Sequence, residues 1–134
     1  MTIEVIPISC PLSPEDYKKA EAFIKKMKPL LKTGDFQIER TAKNISFDRQ
    51  FSLTHQTKCE ILKSLTADDC YNIEPNNNPR YKTDEVYKFF KEIELIVFGE
   101  PTQTKLYLKM YIRESTTYDI VIVISFHEEG MHDL

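Results

Sequence analysis

Thr104-Lys105-Leu106-Tyr107-Leu108-Lys109-Met110-Tyr111-Ile112-Arg113 is the stretch whose reading decides the fold. Strand side chains alternate with period two, so Leu106, Leu108, Met110 and Ile112 share one face and Lys105, Tyr107, Lys109, Tyr111 and Arg113 the other. The first face is core. The second interleaves cations with phenols, a composition that can follow a phosphate backbone while offering rings for base stacking, at about 1 to 3 kcal/mol per stacked base.

A polar linker, Glu114 to Thr117, leads to Ile120–Phe126, which is apolar at nearly every residue and reads as a strand in mid-sheet with both faces covered. It ends in Ser125, Phe126 and His127. Ser125 and His127 share a face, and the histidine is expected at the strand mouth, reaching solvent. Upstream, residues 85–98 read as one long strand or a bent pair, with Tyr87, Phe89, Lys91, Ile93, Leu95 and Val97 on one parity; residues 99–103 then turn the chain back.

Helices precede these strands. Ser13-Pro14-Glu15-Asp16 combines an N-cap, a first-turn proline and acids against the helix dipole. Tyr17, Ala20, Ile24, Met27 and Leu31 then form an apolar stripe, Pro29 is expected to kink or end the helix, and Gly34 closes it. Its flanks carry Lys18, Lys19, Lys25, Lys26, Lys28 and Lys32, either a solvated face or a phosphate-docking surface. Asp35 to Arg40 reads as a short strand leading into a polar linker, Thr41 to Asn44. Thr54 caps a second helix through about Leu65, and Thr66-Ala67-Asp68-Asp69 repeats the capping logic for one more turn, ending near Tyr71. Residues 75–79 form a Pro and Asn loop, which Arg80 and Lys82 leave. Helices followed by consecutive strands predict an α+β fold with an antiparallel sheet.

The chain has 134 residues, 41% hydrophobic and 29% charged, which fits one domain spanning residues 1–134, with an extended arm over 1–12 and a flexible tail over 128–134. Lys and Arg total 18 against 21 Asp and Glu, a net charge of -3, so any nucleic-acid binding must be local. No apolar run has the length of a membrane span, and residues 1–10 lack the basic and apolar regions of a signal peptide, so a cytoplasmic protein without a membrane partner is expected. Cys10, Cys59 and Cys70 lack CxxC spacing and read as reduced packing residues.

With Gly34, Gly99 and Gly130 as the only glycines, neither a dinucleotide fingerprint nor a P-loop can be built, which removes nucleotide cofactors. His127 and His132 stand five apart at a strand end, not four apart on a helix as HExxH requires, so no metal site is expected. There is no GxSxG elbow. RNA can be cleaved without a metal or cofactor when its 2′-hydroxyl loses a proton, the phosphorane charge is neutralised and the 5′-oxygen gains a proton. Histidine, with an ordinary pKa of about 6.5, suits the proton transfers, and Lys, Arg and Tyr supply charge and hydrogen bonds. The competing reading is an amphipathic strand whose Tyr and Lys residues merely cover sheet surface.

Leu65-Thr66-Ala67-Asp68-Asp69-Cys70-Tyr71, a Pro-rich loop, Phe90-Lys91-Glu92-Ile93, Leu106-Tyr107-Leu108-Lys109 and Ile124-Ser125-Phe126-His127-Glu128 occur in that order, and the set resembles the MqsR family of type II toxins, RelE-like mRNA interferases. The resemblance covers roughly Tyr17 to Glu128. It implies helices packed on a C-terminal antiparallel sheet, metal-independent endoribonuclease activity on mRNA, growth arrest, and inhibition by a cognate antitoxin. By position, Tyr107 matches a family active-site tyrosine, Lys109 belongs to the same Tyr-x-Lys pattern, and His127 stands where some members carry lysine. Asn72 and Lys88 depart from the family pattern, and the segment between Ile93 and Tyr107 is longer than usual. The expected catalytic set is therefore Tyr107, Lys109, His127 and Lys88, with Tyr111, Arg113, Arg80, Lys82, Lys25 and Lys26 binding RNA. The alternative is a non-catalytic RNA- or protein-binding module on the same fold.

Overall fold

Ser13 starts the first helix, α1 (Pro14–Lys32), by accepting a hydrogen bond from the Asp16 N–H at 3.1 Å. The computed structural model describes residues 12–76, 85–97 and 99–130. Ala20, Ile24, Met27 and Leu31 of the expected stripe are buried and Phe23 joins them, while Tyr17 is only partly buried against the core. Pro29 does not end the helix, which continues to Lys32. The proline sits close enough to the C-terminus that little regular hydrogen bonding lies beyond it. Gly34, at φ +81°, then permits a Schellman closure: its N–H bonds the Leu31 carbonyl and the Asp35 N–H bonds the Leu30 carbonyl.

After β1 (Phe36–Ile38) comes α2 (Ala42–Phe51), a helix where the sequence predicts a polar linker over Thr41 to Asn44 and no element beyond it; Thr41 caps it, its hydroxyl accepting the Asn44 N–H at 3.1 Å. Phe47 and Phe51, one turn apart, supply its apolar contact, and Asn44 is buried beside them. The helix expected from Thr54 is α3 (His55–Lys63), and the Thr66 capping box opens a single 3-10 turn, Ala67–Asp69. That turn does not carry on to Tyr71 but feeds β2 (Cys70–Pro75). Pro75 is tolerated as the last residue of a strand at the sheet edge.

β3 (Glu85–Val97) and β4 (Glu100–Arg113) pair as a long antiparallel hairpin, and Gly99, just before β4, takes φ +78°. β4 thus begins earlier than expected. β5 (Ile120–Glu128) also runs further than expected, and the Glu129 N–H bonds the Lys105 carbonyl, so the start of the anticipated tail is tied to the sheet. The arm at residues 1–11 lies outside the described residues, as do Arg80 and Lys82.

The sheet order is β1-β5-β4-β3-β2, antiparallel except for the parallel β1–β5 pair, which makes the fold α+β. The helices pack on one face. Their buried residues join Phe89, Leu106, Leu108, Met110, Val121, Val123 and Phe126 in one core, with Phe23 stacked on Tyr87 at 4.1 Å. The other face carries a smaller cluster drawn from strands alone: Val86, Tyr111 and Ile122, flanked by Ile120 and Ile124. No described helix is long and apolar enough to cross a membrane.

Candidate nucleic-acid interface

The face without helices is built by register. β4 pairs Tyr107 with His127 on β5 and with Phe90 on β3. Tyr71 stands at a register shift in β2, which brings its ring flat against Phe90. The result is a row of rings across four strands: Tyr71 to Phe90 at 4.3 Å, Phe90 to Tyr107 at 5.8 Å, Tyr107 to His127 at 5.6 Å. The Lys105 ammonium lies 4.5 Å from the Phe90 ring centroid, a cation–π contact.

Burial raises the Tyr71 phenol well above its ordinary value, and the charge and hydrogen bond of the neighbouring Tyr107 phenol add to the effect.

One step along the strands, Lys88 and Lys109 stand directly opposite each other. Like charges so placed repel. Glu74 relieves this by pairing with Lys88 at 3.0 Å, whereas Lys109 has no carboxylate at ion-pair distance among the described residues. Lys109 lines a cleft of about 240 Å³ with Glu39, Glu74, Val86, Tyr111 and Ile124. On the other side of the row, Asp68, Asp69 and Glu92 border a second cleft of about 350 Å³ walled by Tyr71, Phe90 and Lys105.

His127 is the largest departure from expectation. Its side chain does lie on the Tyr107 face, but the residue is only 6% exposed and does not reach into solvent. Nδ1 sits 3.0 Å from the Glu128 carbonyl oxygen, which can only accept, so Nδ1 carries the hydrogen and in the neutral ring Nε2 holds the lone pair.

Tyr111 is also a correction. At 6% exposure it is packed with Val86 and Ile122 and has no open face for a base. Arg113 lines a separate groove of about 370 Å³ with Glu114 and Tyr118. It stands about 20 Å along β4 from Tyr107 at the usual strand rise. Lys25 and Lys26 belong to α1, on the far side of the sheet, where Lys26 pairs with Glu114 and Asp119. The structure therefore gathers Tyr107, Lys109, Lys88 and His127 and leaves Arg113, Lys25 and Lys26 apart.

Sequence reading missed Tyr71 and Phe90. Phe90 could have been found from the Phe89-Phe90 doublet, since one ring of such a pair must face away from the core. Tyr71 carries no comparable signal, because a register shift sets its direction. Among the described residues, no group of three or more His, Cys, Asp or Glu side chains is arranged to hold a metal ion.

Fold and site define a class of protein: an α+β sheet shielded by helices on one side and bearing a row of rings bordered by lysines on the other. Neither a protein family, nor a curated protein, nor a solved structure matches the chain.

Proposed function

We propose that the chain is an mRNA endoribonuclease that works without a metal, the toxin of a type II toxin–antitoxin pair, with the ring row as its RNA-binding platform. The observation that carries this reading is the row itself, Tyr71-Phe90-Tyr107-His127, bordered by Lys105 and Lys109. The ordered resemblance to MqsR toxins supports it. Rings this close take up bases by stacking, and Lys109 meets the phosphate. In the proposed reaction the 2′-oxygen loses its proton and attacks phosphorus, the bond to the 5′-oxygen breaks, and that oxygen takes a proton. The products are a 2′,3′-cyclic phosphate and a 5′-hydroxyl. The half-buried Tyr107 hydroxyl and the Lys109 ammonium contact the phosphate, and His127 Nε2 exchanges the proton.

Incubating the purified protein with a long RNA in EDTA tests this. Discrete fragments ending in cyclic phosphate are expected, and intact RNA would defeat the endonuclease reading. In cells, expression should arrest growth, Tyr107→Phe or His127→Ala should relieve the arrest, and co-expression of the antitoxin should prevent it. A second reading, an RNA- or protein-binding module without cleavage, is favoured by the burial of His127 and by the ion pair that neutralises Lys88. RNA that is shifted on a gel but left intact would select it.

A further inference from the structure

We infer that Asn44 is a positioning residue: its side-chain amide holds a β-bulge at Ile124, and the bulge turns His127 onto the Tyr107 face. Val121 and Val123 point into the helix-covered core. Strict alternation from them would send Ser125 and His127 into the core and Phe126 out of it. The observed register breaks this count. Met110 pairs with Val123 and Lys109 with Ser125, leaving Ile124 without a partner on β4. After that extra residue Phe126 is in the core and His127 stands opposite Tyr107.

On its other edge β5 loses its neighbour at the same place, because β1 ends at Ile38. Asn44, projecting from the first turn of α2, takes over. Its Nδ2 donates to the Ile124 carbonyl at 3.0 Å and to the Glu39 carbonyl at 2.8 Å, and its Oδ1 accepts the Phe126 N–H at 2.8 Å. Donating to residue 124 and accepting from residue 126 is the pattern a parallel strand would present opposite Ser125. The amide is thus a one-residue extension of β1. Two carbonyls and one N–H admit only one orientation of the amide, and only a side chain with both donor and acceptor satisfies all three. At 3% exposure no solvent substitutes for it. The Thr41 cap sets the start of α2, and Phe47, one turn on from Asn44, packs on Phe126, so the helix is fixed against the strand it supports.

The functional half of this inference rests on the endonuclease reading, and the geometric half does not. The experiment uses the full chain with isotope-labelled aromatic rings. In the wild type, cross-relaxation is expected between His127 and Tyr107 on the open face and between Phe23 and Tyr87 on the covered face. Asn44→Ala removes donor and acceptor; Asn44→Asp keeps the volume and the acceptor, but its ionised form donates to neither carbonyl. Both variants should keep the Phe23–Tyr87 contact and lose the His127–Tyr107 contact, with RNA cleavage lost alongside. Retention of the His127–Tyr107 contact at wild-type intensity in both variants overturns the inference. Loss of both contacts in both variants also overturns it, since Asn44 would then be a general folding residue. If wild-type protein leaves RNA intact, the endonuclease reading fails while the ring contacts still decide the role of Asn44. If the contact is lost and cleavage persists, the catalytic consequence of the positioning is refuted.

Discussion

On the helix-covered face of β4, Leu106, Leu108 and Met110 are completely buried among Phe89, Phe126 and the stripe of α1. One residue along, the same strand carries Tyr107 and Lys109, and their neighbours are rings and cations from the adjoining strands. The two faces share a backbone and differ in what covers them. Side chains on the first are held by apolar area removed from water, so truncation there costs stability. Tyr107 and Lys109 on the second are only partly buried and sit where the register of strands that the first face stabilises puts them, so changing them should leave the fold intact. The faces are separable, and substitutions on each should be read by different instruments.

The largest expected effect is on the covered face. Leu108→Ala should destabilise the protein by about 2 to 5 kcal/mol in urea unfolding, the usual range for a buried leucine. A loss below 1 kcal/mol would mean that the helices do not seal this face. Tyr107→Phe, across the backbone from it, removes the hydroxyl that neighbours the Tyr71 phenol and should cost about 1 kcal/mol or less. It should abolish RNA cleavage, and phenolate absorbance should show the Tyr71 hydroxyl titrating at a lower pH than in the wild type. A Tyr107→Phe protein as destabilised as Leu108→Ala would erase the distinction between the faces.

A smaller effect appears in alkali. Burial, followed by the Glu85 charge, lifts the Tyr87 phenol to about 12, above its ordinary value of 10.0. The folded protein therefore holds this proton after the unfolded chain has released it. The stability this contributes is complete below the unfolded pKa and is lost as pH rises between about 10 and 12. Urea midpoints should fall across that window, and less steeply in Tyr87→Phe; parallel curves would show that Tyr87 is not the group responsible. The smallest effect is on α1. Changing Lys25, Lys26 and Lys32 to Gln should alter stability by no more than about 0.5 kcal/mol. Because α1 lies on the covered side, the salt dependence of RNA binding should stay unchanged; a flatter slope would place RNA across both faces.

Much of this division could be read from residues alone. The parity of Leu106 to Ile112, the odd positions of β3 and the α1 stripe all assign the covered face, because burial repeats with the period of the element. The open face was legible only in part. Tyr107, Lys109 and Lys88 follow from the same parity, but the row depends on which residues meet across strands, and register is not a local property. Two register shifts, at Tyr71 and Ile124, defeat counting by two. α2 escaped because its apolar contact is little more than Phe47 and Phe51, while its buried Asn44 reads as a linker residue until its partners on β5 are seen. The burial of His127 had no signature in its neighbours Ser125 and Glu128.

The parallel pairing of Phe36 with Val121 couples the first described strand to the last, and β5 inserts between β1 and β4 instead of adding at an edge. During synthesis, β4 must wait beside an empty slot until β5 has cleared the ribosome, and no shorter nascent chain can assemble the row of rings. A message truncated before the codon for Ile120 would yield a polypeptide with β4 as an exposed edge, prone to proteolysis and aggregation and lacking His127 of the ring row.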